Sequence, residues 1–163
     1  MNRQAEAMVH LVMAAVIMAV LSIAAYFIGC QLAGGIIADA AAAGSEVPNL
    51  SDWKDYYYML VRNVGLATGA VLLLWTAMSH WILSSSGSKR WIWLVLCFIV
   101  AAICIGYPVL FVKSHPLFIS DISIPALFFV CYCLLGYWLG SILVTSDKHK
   151  YTPLLAGFLR VGA

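Results

Sequence analysis

The sequence predicts an all-α integral membrane fold: a four-transmembrane-helix bundle with short loops and both termini in the cytoplasm. Three observations carry that expectation. The chain is 64 % hydrophobic and 10 % charged, whereas a soluble domain carries about 25 % charged residues. A water-soluble globule of this size cannot hide so much apolar surface. The apolar residues fall into four long runs, and each bilayer crossing needs about 20 of them. Lys and Arg are also shared unequally between alternate loops. Arg3, Lys89, Arg90, Lys148, Lys150 and Arg160 lie on one side, and Lys54, Arg62 and Lys113 on the other. The positive-inside rule places the first group in the cytoplasm of a bacterial inner membrane. The opposite side collects Asp39, Glu46, Asp52, Asp55 and Asp121. The 163 residues then form a single membrane domain with no room for a separate soluble one.

The first span is read over about 8–32. Met8 to Leu32 is apolar except for His10, Ser22 and Gln31. This run exceeds the ~7–15 apolar residues of a signal peptide, so a retained helix is expected rather than a cleaved leader. Ala33 to Ala43 continues it past the bilayer. Gly34-Gly35 offers a bend there; otherwise the alanines carry a protruding helix. Pro48 and Asn49 signal a turn, and Ser51-Asp52 supplies a helix cap.

The second span is read over about 56–83, with Trp53, Tyr56, Tyr57 and Tyr58 at its outer end and Trp75, His80 and Trp81 at its inner end, as interfacial belts require. The third covers about 91–112, a single crossing of roughly 33 Å. Pro108, in its last turn, should kink or end it. The fourth covers about 122–144, with Pro125 in the first turn, where a missing N–H costs little. Residues 151–163 are too short to span and read as an interfacial helix or a loose tail.

Few residues suggest chemistry. Arg62 sits at a span edge, where a charge is costly and is either paired or snorkelling. An ion pair with Asp39 or Asp55, or an outer-face contact, is the expectation. Asn63 beside it can hydrogen-bond across helices. Gly65-x-x-x-Gly69 and Gly136-x-x-x-Gly140 each put two glycines on one helix face, so backbones can approach closely. They predict helix packing, within the chain or with a partner. Gly29 with Ala33, and Ala14 and Ala15 with Ala19, extend this small-residue character to the first span.

His10 and His80 fall at matched depth near the cytoplasmic interface. They could ligate a haem, but ordinary interfacial histidines are the preferred reading. His115 and His149 are too distant to join them. Cys30, Cys97, Cys104, Cys131 and Cys133 show no C-x-x-C or metal-site spacing and read as packing residues. Cys97 and Cys104 share a face, and Cys131 and Cys133 point to different ones. No cofactor or metal is therefore expected.

No acid or base lies near mid-span, where proton-coupled carriers and many membrane enzymes need one. No nucleophile, metalloprotease or phosphate-loop motif occurs, and the scattered basic residues give no nucleic-acid footprint. Beyond the lipid bilayer itself, the expected function is helix–helix association with a membrane partner or a second copy, in an accessory, regulatory or immunity/exclusion-type role, with no catalysis. The alternative is an oligomeric channel or carrier lined by Asn63, Thr68, Thr76 and Ser79.

Overall fold

A computed structural model describes residues 3–44, 48–83, 89–115, 118–146, 152–154 and 156. These contain four helices long and apolar enough to cross a membrane, and no strand. They are α1 (Arg3–Ala42), α2 (Leu50–Ile82), α3 (Arg90–Ser114) and α4 (Ser123–Val144). The proposed tail at 151–163 lies almost wholly outside the described residues.

Each helix end has a local cause. α1 runs unbroken through Gly34 and Gly35 to Ala42, so the bend allowed there does not occur. The chain turns instead at Gly44, whose φ of 75° suits a residue without a Cβ. α2 starts at Leu50, earlier than expected, because Asn49 rather than Ser51-Asp52 caps it. The Asn49 side chain accepts from the Asp52 N–H at 2.8 Å and donates to the Asp52 carboxylate at 2.9 Å. Pro108 is buried inside α3 and does not end it; the helix continues to Ser114. Ser114 Oγ then donates to the Phe111 carbonyl at 3.0 Å. Pro125 does sit in the first turn of α4.

Two stretches are π-helical: Met78–Ile82 at the end of α2 and Phe129–Leu139 within α4. In α4 the wide turns set Gly136 against the Cys131 carbonyl and Gly140 near the Leu135 carbonyl, each five residues back. Sequence periodicity gave no hint of either stretch.

α2 and α4 pack on each other, and α1 and α3 each pack on both. The face of α1 turned inward carries Ala7, Ala14, Met18, Ala25, Gly29 and Ile36, all buried. The face turned outward carries Val9, Val12, Val16, Val20, Ile23 and Phe27. Small residues on the inner stripe let α1 approach α2 antiparallel, with Gly29 against Tyr57, Ser22 against Gly65 and Met18 against Gly69.

The two ends of the structure are held differently. At the end with the α1–α2 connection, Trp53 stacks on Tyr57 at 5.0 Å and on Phe118 at 5.3 Å. Tyr57 also stacks on Phe128 at 6.0 Å. At the end where the chain starts, indoles bond to hydroxyls: Trp75 Nε1 to Thr145 Oγ1 and Trp93 Nε1 to Ser141 Oγ, both at 2.8 Å. Among the described residues every buried side-chain nitrogen and oxygen has a hydrogen-bond partner, as stable apolar interiors demand.

Candidate functional site

The glycine faces are occupied from within. A Cβ on Gly65 would meet Ser22 Oγ at 2.5 Å, and one on Gly136 would meet Met18 Sδ at 3.1 Å. Gly69 also faces Met18, and Gly140 faces Ile17 and Leu72. Both pairs therefore seat α1 against the α2–α4 pair. Of the two readings the spacing allows, packing within the chain accounts for the close approach at both pairs, and Gly65 and Gly69 also line a groove on the outward side.

On the outward side α1 and α2 leave this groove between them. Ala15, Ala19 and Ala70 are too small to close it, and its volume is about 770 Å³. It extends from Tyr58 to Leu73, fifteen residues or roughly 22 Å of helix. Its lining is apolar apart from a few groups at one end. There Tyr26 stands edge-on to Tyr58 at 6.0 Å, and Arg62 forms part of the wall.

Arg62 is exposed. Its Nε donates to Asn63 Oδ1 at 3.4 Å, and Asn63 Nδ2 donates to Tyr107 on α3 at 2.9 Å. It forms no ion pair among the described residues. The register explains why Asp39 and Asp55 do not reach it. Gly29 is already level with Tyr57, and Asp39 lies ten residues beyond Gly29, about 15 Å in the direction away from Arg62. Asp55 is two turns, about 10 Å, from Arg62 along α2. The guanidinium therefore stands in the groove wall with no carboxylate from the described residues.

Of the proposed channel stripe, Asn63 is half-buried and the other three residues are not on an outer surface. Thr68, Thr76 and Ser79 are buried and donate to the Val64, Leu72 and Thr76 carbonyls at 2.7, 2.8 and 2.9 Å. All five cysteines are free thiols. Cys97 and Cys133 meet across the α3–α4 contact. Cys131 and Cys133 are both buried, because α4 has neighbours on several sides.

At the other end of the α1–α2 pair, the structure brings His10 and His80 together and adds Glu6. His10 Nδ1 lies 3.1 Å from His80 Nε2, and Glu6 Oε1 lies 3.8 Å from the same nitrogen. A haem cannot fit between these rings. Two axial bonds of about 2 Å on opposite faces of a macrocycle hold their nitrogens about 4 Å apart. Glu6 was not singled out from the sequence, although it precedes His10 by four residues and so shares its helix face.

Compared with family models, curated proteins and solved structures, the chain matches none. Function must be argued from the groove and from the histidine cluster.

Proposed function

We propose that this chain is a multi-pass protein of a bacterial inner membrane, with both termini cytoplasmic, that performs no catalysis and acts by lateral association. A transmembrane helix of a different membrane protein lies in the α1–α2 groove and sets an acidic residue against Arg62. Its role is accessory, regulatory or of the immunity/exclusion type.

The observation that carries this reading is the groove itself: an apolar channel with a small-residue floor and one guanidinium that has no carboxylate partner among the described residues. A charge in that setting calls for a counter-charge, and exposed small residues let a partner backbone come close. Charge complementarity favours a different protein over a second copy. The four spans as read from the sequence contain no Asp or Glu that a copy could offer at the depth of Arg62. An oligomeric channel would need a lining other than Thr68, Thr76 and Ser79.

The test is purification from the native host in gentle detergent, with the mass of the intact particle and the identity of its components. Wild-type protein should carry a second membrane protein, and Ala70→Trp and Arg62→Ala should each lose it. A wild-type particle holding only phospholipid would overturn the proposal in favour of a lipid site. A partner retained by both variants would show that the contact lies elsewhere.

A further inference from the structure

We infer that Glu6, His10 and His80 form a binding site for a divalent transition metal of the zinc class. The site is separate from the groove and independent of the association argued above. Its ligand atoms are one carboxylate oxygen and two imidazole nitrogens, all within 4.8 Å of one another. Nitrogen and oxygen donors of this kind suit Zn²⁺. A tetrahedral ion with bonds of about 2.0–2.1 Å holds its ligand atoms about 3.3 Å apart. The His10–His80 separation is 3.1 Å and the His80–Glu6 separation 3.8 Å, so small rotations of the half-buried Glu6 and His10 side chains about a fixed His80 complete the geometry.

The orientation of His80 is the second observation. Metal-bound histidines usually donate their other ring N–H to a carbonyl or carboxylate, which fixes the tautomer and aims the ligand nitrogen. His80 Nδ1 lies 2.9 Å from the Thr76 carbonyl, and the same carbonyl accepts from Ser79 Oγ at 2.9 Å. A proton assigned to Nδ1 by that contact leaves Nε2 with its lone pair facing His10 and Glu6. His80 is 1 % exposed, so this aim is imposed by packing. The ring also lies in the π-helical turn Met78–Ile82, and such turns are frequent at functional sites. On α1, Glu6 and His10 are one turn apart on the same face. His10 ligates through Nδ1 once its own proton resides on Nε2. Three protein ligands leave the fourth position to water or another side chain. The ion would join helix positions 70 residues apart in sequence.

The test uses the full chain in nanodiscs, purified without a histidine tag. Zn²⁺ is titrated against a chromophoric chelator, and Co²⁺ is titrated for its visible tetrahedral absorption. The expected result is one metal per chain for wild type. His10→Ala should bind at least ~100-fold more weakly, and Glu6→Gln ~10-fold more weakly, in line with the sensitivity of such sites to their ligands and supports. Both substitutions fall on partly exposed residues, and thermal midpoints in chelator verify that each variant is folded. His80→Ala is avoided as the sole test because its ring is buried. Wild-type binding well below one metal per chain would overturn the proposal. Equal affinity in wild type, His10→Ala and Glu6→Gln would do the same, since it would place the metal on other groups.

Discussion

The phenol of Tyr57 occupies the space that a side chain at Gly29 would need. A Cβ added to Gly29 would overlap the Tyr57 ring. The ring has no route of escape, because it is fully buried between Trp53 and Phe128 and its hydroxyl donates to the Ala25 carbonyl at 2.7 Å. Gly29→Ala should therefore destabilise the protein by about 1–3 kcal/mol, the usual cost of overpacking. Tyr57→Phe keeps the ring and loses one hydrogen bond, about 1 kcal/mol. Denaturation of both variants in the same detergent checks the order.

The four glycines of the paired motifs should differ in tolerance. A Cβ on Gly65 has 2.5 Å to Ser22 Oγ, whereas one on Gly69 finds Met18 at 3.7 Å, an ordinary contact. Gly136 is crowded by Met18 Sδ at 3.1 Å and by the Cys131 carbonyl at 3.3 Å, and Gly140 has 3.5 Å to Leu72. Alanine at 65 or 136 should lower the thermal midpoint more than alanine at 69 or 140. Gly34→Ala and Gly35→Ala meet open space and should be neutral or stabilising by up to about 1 kcal/mol. Equal losses at all six positions would contradict the packing described.

The Trp75–Thr145 and Trp93–Ser141 bonds tie α4 to α2 and to α3 respectively. Double-mutant cycles with Trp75→Phe and Thr145→Val should return a coupling near 0.6 kcal/mol, the average for hydrogen bonds between membrane helices, with about 1.7 kcal/mol as a ceiling.

Cys97 and Cys133 are one pair of thiols that meet between α3 and α4. A membrane-permeant oxidant should join them within one chain, seen as a shift between reduced and oxidised gel mobility or as a disulfide-linked peptide pair. Cys97→Ser should abolish that link, and Cys30→Ser should leave it unchanged.

The four apolar helices were legible because their length is set by chain chemistry alone: about 20 apolar residues announce themselves in any context. Helix ends were less legible. Asn49 and Ser51 are both good caps, and only the reciprocal bond to Asp52 selects Asn49. Pro108 was expected to kink or end α3, yet its ring is buried and the helix goes on to Ser114. The π-helical stretch of α4 was illegible, since an apolar run on a helix with neighbours on several sides carries no periodic signal.

The site residues divide along similar lines. Close approach at Gly65, Gly69, Gly136 and Gly140 could be read from spacing, but that the approaching helix would be α1 of the same chain could not. The pairing of Arg62 with Asp39 failed on register, which a sequence does not print. The nearness of His10 and His80 followed from counting depth along two antiparallel helices. Glu6 was the missed member, and its i, i+4 relation to His10 was the available signal.

The cluster of Glu6, His10 and His80 draws all its members from the first two helices. During synthesis it can close as soon as α2 has been made, before α3 exists. The α1–α2 hairpin can then form with its open end clasped and with Tyr57 seated on Gly29. The second hairpin arrives at a preformed surface. In the order of assembly, this clasp makes the first half of the chain the template on which the second half is laid.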